Sequence, residues 1–271
     1  MMPLLPPCSL IGMVHARALP GAPRHSLSMD LIEQKAVDEA RALAAAGFDA
    51  LIVENMHDAP YLRCAAVPET IAAMTRVVRA VVQAVDIPVG VQILSHANSA
   101  ALAVAHVAGA RFIRCEGLVF ASVSDEGLVR DACAGELLRD RARLGAGGIA
   151  VWADVRKKHS SHAITADLAM RDWVHGAAFF GADAVVVTGR ETGDPVDGES
   201  LAEAARAAAD MPVFVGSGAM PQSLARLFGH ARGVIVGSAL KVDGLWSNEL
   251  DAVRVRAMVT ARDPCRAAHH A

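Results

Sequence analysis

Aromatic residues are scarce: Phe, Trp and Tyr together make up 4% of the chain, while hydrophobic residues reach 53%. A core with that balance is built from Ala, Val, Ile and Leu, which suits parallel strands buried on both faces and covered by Ala-rich helices. Charge of one sign is also lacking. A net charge of −3 and a pI near 6.4 leave no basic field to hold nucleic acid or an anionic membrane. The five cysteines (Cys8, Cys64, Cys115, Cys133, Cys265) are odd in number and show no CxxC spacing. They predict reduced thiols in a cytoplasmic protein rather than a disulfide framework or a zinc cluster. The opening MMPLLPPCSLIGM has no charged leader and is broken by three prolines, so no signal peptide is expected. No apolar run approaches the roughly 18 residues of a membrane span. A GxGxxG turn after the first strand is missing too, since Ile11-Gly12-Met13-Val14-His15 stands there. That argues against an open dinucleotide-binding sheet.

What is present is a regular alternation of strand and helix signals, the pattern of an α/β protein with a parallel sheet. Strands are predicted at Ser9–Val14, Ala50–Val53, Pro88–Ile93, Phe112–Cys115, Ile149–Val155, Ala184–Val187, Pro212–Val215 and Gly233–Val236, each followed by a helical stretch. Eight such units fit a single (β/α)₈ barrel of about 250 residues, here residues 1–263, with 264–271 expected to fray. A Gly-x-Asp/Arg turn feeds three strands: Gly47-Phe48-Asp49, Gly109-Ala110-Arg111 and Gly181-Ala182-Asp183.

Two strand ends in tandem run into small residues, Gly216-Ser217-Gly218 and Gly237-Ser238, with Lys241 just beyond. Glycine lets backbone N–H groups approach an anion closely, and the last two strands are where barrels of this architecture often bind phosphate. These six residues form the expected phosphate site. The glycines could alternatively serve only as tight turns.

Active sites of such barrels lie at the C-terminal ends of the strands. That rule selects His15, Glu54, Asn55, Asp58, Arg114, Glu116, Asp154, Lys157, Lys158, His159 and Thr188, with Thr192 in the following loop. Glu54 directly follows an apolar strand, where a carboxylate is costly without a partner or ligand. Burial would raise its pKa toward that of a general base. An ion pair with Lys157 or Arg114 is the alternative. Asp154 carries a similar argument. Carboxylates and loop histidines there leave a divalent metal open, but no metal site and no cofactor is predicted.

Several stretches together resemble the BtpA family: VENMHDAPY (53–61), FASVSDEGL (120–128), ELLRDRARLGA (136–146), ADVRKKHSSHAIT (153–165), TGRETGDPVD (188–197), VGSGAMPQSL (215–224) and IVGSALKVDGLWSN (235–248). The resemblance implies a barrel of the phosphate-binding group. It also implies that Glu54, Asn55, Asp58, Asp154, Lys158, His159, Thr188 and Thr192 face the site. The family takes its name from a photosystem I biogenesis factor. The KKHSSHAIT stretch and Cys115-Glu116-Gly117 are similar to its non-photosynthetic branch.

The expectation is an enzyme acting on a phosphorylated sugar or nucleotide-like metabolite by acid–base chemistry, such as isomerisation, epimerisation or glycosidic-bond cleavage. Glu54, Asp154, Lys158 and His159 would carry the chemistry, and His15, Asn55, Asp58, Arg114, Glu116, Thr188 and Thr192 would contact substrate. A non-catalytic assembly factor and a metal-dependent hydrolase are the rival readings. Self-association is compatible with the fold class.

Overall fold

The computed structural model describes residues 5–189, 191 and 193–269. In chain order its strands are β1 (Ser9–His15), β2 (Ala50–Glu54), β3 (Val89–Gln92), β4 (Phe112–Cys115), β5 (Ser122–Ser124), β6 (Gly127–Val129), β7 (Ala150–Val155), β8 (Ser160–Ser161), β9 (Ala184–Val187), β10 (Val213–Val215) and β11 (Gly233–Val236). The helices are α1 (Met29–Ala46), α2 (Pro68–Ala84), α3 (Asn98–Ala108), α4 (Ala134–Arg143), α5 (Met170–Phe179), α6 (Gly198–Ala208), α7 (Leu224–Phe228) and α8 (Ala252–His269). Eight strands close a parallel barrel in the order β1-β11-β10-β9-β7-β4-β3-β2. A helix separates each pair of barrel strands that follow one another in sequence, so the fold is the (β/α)₈ barrel that the alternation predicts.

The Gly-x-Asp turn has a structural explanation. Gly47, Gly109 and Gly181 all take the left-handed conformation that ends a helix, with φ of 100°, 86° and 82°. In two of the three turns the Asp then reaches across to the preceding strand. Asp49 Oδ2 accepts from the Leu10 N–H at 2.9 Å, and Asp183 Oδ2 accepts from the Val151 N–H at 2.8 Å. Asp49 also takes Arg262 and Arg266 of α8 at 3.0 and 2.7 Å. Within the stretch expected to fray, α8 runs on through Pro264 to His269, and residues 270–271 lie outside the described residues.

Strand residues alternate between the barrel interior and the helices, as the two-residue period requires. The interior cluster holds Ile11 and Met13, Ala50 and Ile52, Phe112, Trp152, Ala184 and Val186, Phe214 and Ile235. Three rare aromatics are concentrated here. Trp152 stacks between Phe112 and Phe214 at centroid separations of 3.9 and 4.2 Å. Gly90 makes room for them, because a Cβ there would lie 2.3 Å from the Phe112 ring. Leu5 joins the same cluster, held by its carbonyl accepting from Arg232 Nε at 2.6 Å.

One feature has no counterpart in the sequence expectations. The connection after β4 folds into a β5–β6 hairpin, and β8 pairs with β5 to make a small antiparallel sheet. Among the described residues no helix is long and apolar enough to cross a membrane.

Candidate active site

The alternation that fills the barrel continues one step beyond the apolar layer. Two residues on from Met13, Ile52, Phe112, Trp152, Val186, Phe214 and Ile235 come His15, Glu54, Arg114, Asp154, Thr188, Gly216 and Gly237. The strands therefore deliver a polar layer directly above a dry one, and a cavity of about 560 Å³ opens above it. His15, Glu54, Arg114, Glu116, Lys157, Lys158 and His159 line it together with Gly216–Ala219 and Gly237–Ala239.

Glu54 is 6% exposed. Burial pushes its pKa up to about 7, against the pull of Arg114 and Lys158. Its neighbour His15 lies 3.7 Å away (Nε2 to Oε2), but this is no ion pair. Burial and the nearby Lys241 lower the His15 pKa to about 3, so the ring is neutral. Nδ1 donating to the Trp246 carbonyl at 3.2 Å is the tautomer that fits, leaving the Nε2 lone pair toward Glu54.

Glu116 behaves in the opposite way. Burial alone would raise its pKa, yet Lys157, His96 and Arg114 outweigh burial and hold it at about 2. Lys157 Nζ stands 3.4 Å from Oε1, Gln92 Nε2 donates to the same oxygen at 3.2 Å, and the His96 N–H donates to Oε2 at 3.1 Å. One cavity thus holds a carboxyl that titrates near neutrality and a carboxylate that stays charged, the separation of pKa values that assigns acid–base roles. Burial and Arg114 bring Lys158 down to about 8, with Glu54 and Asp154 opposing.

Other expected site residues are placed differently. Asp154 is not among the side chains lining the cavity. It accepts two parallel bonds from Arg114, Nε to Oδ1 at 2.8 Å and Nη2 to Oδ2 at 2.9 Å, with both groups buried. A carboxylate engaged in this fork orients Arg114. Asn55 and Asp58 are turned into the loop after β2. Asn55 Nδ2 donates to Asp58 Oδ2 at 3.0 Å, Asn55 Oδ1 accepts from the Leu94 N–H at 2.8 Å, and Asp58 Oδ1 accepts from the Leu19 N–H at 2.8 Å. The Thr188 hydroxyl accepts from the Lys158 N–H at 2.9 Å and so fixes the start of the lysine's loop. His159 sits at the rim, 3.5 Å from Asp125 of the hairpin. Thr192 lies outside the described residues.

At the expected phosphate site, Gly216, Ser217, Gly218, Gly237 and Ser238 all line the cavity. Gly218 has φ of 66°, and a Cβ there would come within 2.1 Å of the Asp194 carbonyl oxygen. The Ser217 hydroxyl is engaged within the protein: it accepts from the Gly189 N–H at 2.9 Å and donates to the Asp194 carbonyl at 3.1 Å. Lys241 does not belong to this group. It is 1% exposed, and its Nζ sits 2.6 Å from Glu39 Oε1 on α1, outside the barrel.

Sequence reasoning missed Gln92, Tyr61 and Trp246, which also line the cavity. Gln92 was accessible through parity, being the polar end of the strand Val89–Gln92. Tyr61, whose hydroxyl donates to the Met56 carbonyl at 2.7 Å, and Trp246 come from loops and carry no such signal. Among the described residues, no three His, Cys, Asp or Glu side chains converge as a metal-ligating set.

The fold defines a class before it defines a family. Solved barrels superpose along nearly the whole chain: a phosphoribosylanthranilate isomerase from Pyrococcus furiosus (TM-score 0.59, 14% identity, 95% of this chain and 99% of that one). A geranylgeranylglyceryl phosphate synthase from Thermoplasma acidophilum, solved with sn-glycerol-1-phosphate, does so as well (TM-score 0.59, 16% identity, 95% and 94%). The molecule is thus a (β/α)₈ barrel. The chain belongs to the BtpA family, whose sequence model matches residues 7–263. It is 42% identical over 251 residues to a Caenorhabditis elegans protein described as uncharacterised and mitochondrial (91% of this chain, 90% of the relative). It is 38% identical over 254 residues to the photosystem I biogenesis protein BtpA of Synechocystis (93% and 87%).

Proposed function

We propose that this protein catalyses proton transfer at a carbon beside a carbonyl in a small phosphorylated, sugar-like metabolite. The observation that carries this reading is Glu54, buried at the floor of the cavity with its pKa near 7 and with Arg114 and Lys158 as the facing cations. A carboxyl at that pKa gains and loses a proton with little driving force at neutral pH, which suits a general base. The charge that develops on the carbonyl oxygen is offset by Lys158 and Arg114, whose guanidinium Asp154 holds in place. Phosphate is received at Gly216–Gly218 and Gly237-Ser238, where missing Cβ atoms let the backbone come close. A cavity of about 560 Å³ suits a ligand of this size. The solved neighbours' phosphorylated ligands support the same class. For location we infer a reducing compartment such as the cytoplasm, in line with the free thiols.

The test has two stages. A melting-temperature screen against phosphorylated sugars finds the ligand, since one at a hundred times its Kd adds about 2.7 kcal/mol. The bound ligand is then followed by NMR in D₂O. Exchange of the hydrogen next to the carbonyl, lost in Glu54→Gln with binding retained, is the expected result. Equal exchange in both proteins overturns the assignment. Binding without exchange in the unmodified protein would move the reading to an assembly factor, the role borne in the name of the Synechocystis relative.

A further inference from the structure

Beside the site just described, and sharing Glu116 with it, a second cavity of about 750 Å³ is lined by Arg63, Cys64, His96, Asn98, Arg130 and Cys133, among others. Cys133 immediately precedes α4, whose N-terminal end carries partial positive charge. Its sulfur accepts from Asn98 Nδ2 at 3.2 Å and lies 3.7 Å from the sulfur of Cys115. Cys115 is fully buried on β4, and Cys133 is half-buried at the cavity wall. Asn98 is itself fixed, donating to the Glu116 carbonyl at 2.7 Å.

We propose that Cys133 and Cys115 form a peroxide-reactive dithiol, in which Cys133 takes the oxidant from the second cavity and Cys115 resolves the product to a disulfide. The asymmetry of the two thiols fits these roles. The Cys115 contact and the Asn98 donor lower the Cys133 pKa against the effect of burial, whereas burial raises that of Cys115. A thiolate is the attacking species, and a low-pKa thiol that reaches a cavity, beside a buried partner, is the arrangement of reversible redox cysteines. In the first step the Cys133 thiolate attacks one peroxide oxygen, the O–O bond breaks, and the departing hydroxide takes a proton to become water. In the second, the sulfur of Cys115 attacks that of the Cys133 sulfenic acid. Its thiol proton leaves with the hydroxyl as a second water. Two thiols lose two electrons and two protons, and one peroxide is reduced. Closing the sulfurs from 3.7 Å to a bond of about 2.05 Å requires only a small approach. Exchange with an external dithiol restores the pair.

The experiment treats the full-length protein with one equivalent of hydrogen peroxide at pH 7, blocks remaining thiols with N-ethylmaleimide, and maps peptides without reduction. The expected result is a fall from five free thiols to three, with Cys115 and Cys133 joined in one linked peptide. In Cys115→Ser the reaction stops at Cys133, which dimedone traps as sulfenic acid. In Cys133→Ser, Cys115 stays reduced. Cys64→Ser, which removes the other thiol of the cavity, leaves the linkage unchanged. A Cys64–Cys133 linkage in the unmodified protein, or oxidation of Cys64 with Cys115 and Cys133 both left reduced, overturns the proposal without any variant having to fold.

Discussion

Replacing Glu54 with Gln should make the protein more stable, by an amount set by pH. The folded state holds this carboxyl at about 7, against an ordinary value of 4.5. Because the folded pKa is raised, the folded chain binds the proton more tightly than the unfolded one, and stability falls as pH rises. Below 4.5 both states are protonated and no cost exists. Between 4.5 and about 7 the unfolded chain ionises while the folded one does not. Above 7 the cost is at its full value: a shift of roughly 2.5 at 1.36 kcal/mol per pKa unit, or about 3 kcal/mol. Glutamine keeps the shape of the protonated acid and does not ionise. Urea unfolding of both proteins at pH 5 and pH 8.5 reads the effect, since titrating groups not coupled to Glu54 cancel in the difference. The variant should gain on the unmodified protein by about 3 kcal/mol at the higher pH, and the gap should largely close at the lower. At on the order of 2–4 °C per kcal/mol for a domain near this size, melting temperatures would separate by roughly 6–12 °C. A difference that is flat across this range, or that grows toward acid, would refute the buried, neutral Glu54 and the base role with it.

Four further outcomes follow from the same geometry. Catalytic rate should trace a bell, rising with pH through about 7 as Glu54 becomes a competent base and falling through about 8 as Lys158 loses its charge; Glu54→Gln should remove the acid limb along with the activity. Asp154→Ala strands a buried guanidinium and should cost about 3–5 kcal/mol in urea unfolding. Gly218→Ala must displace the Asp194 backbone and take a strained φ, so phosphate-ligand affinity measured by calorimetry should drop more than stability does. Lys241→Met leaves Glu39 buried without its cation and should lose about 3–5 kcal/mol of stability, with ligand affinity unchanged in the folded fraction.

The barrel was legible because its strands are short apolar runs ending in polar or glycine residues, a pattern that local chemistry dictates. Glu54 was legible for the same reason. What could not be read was which charges pair. Arg114, Glu116, Asp154 and Lys157 all fall near the ends of adjacent strands β4 and β7, and sequence offers no means of choosing among the combinations. The fold pairs Arg114 with Asp154 and Lys157 with Glu116, which ties Asp154 to the guanidinium and leaves Arg114 and Lys158 as the charges that act on Glu54. Lys241 illustrates the converse error. Its position after a glycine-rich strand end suggests an anion ligand, but it turns outward to Glu39, a residue 202 positions away. The β5–β6 hairpin escaped notice because strands of three residues leave no periodicity to detect, and its third strand arrives from Ser160–Ser161.

The three stacked rings beneath the polar layer also decide how traffic moves. With Phe112, Trp152 and Phe214 filling the cross-section and Leu5 packed against the same interior cluster, the barrel is a blind shaft. Among the described residues, substrate, product, displaced water and the proton exchanged by Glu54 pass through the doorway at the cavity's open end, and the Asp125-Glu126 turn of the hairpin is among the residues lining that cavity. A ligand seated with its phosphate on the glycine wall would stopper that doorway while its other end lies against Glu54. A proton taken from such a ligand passes to solvent only as that stopper moves, so the rate at which the ligand's hydrogen exchanges reports the opening of the doorway.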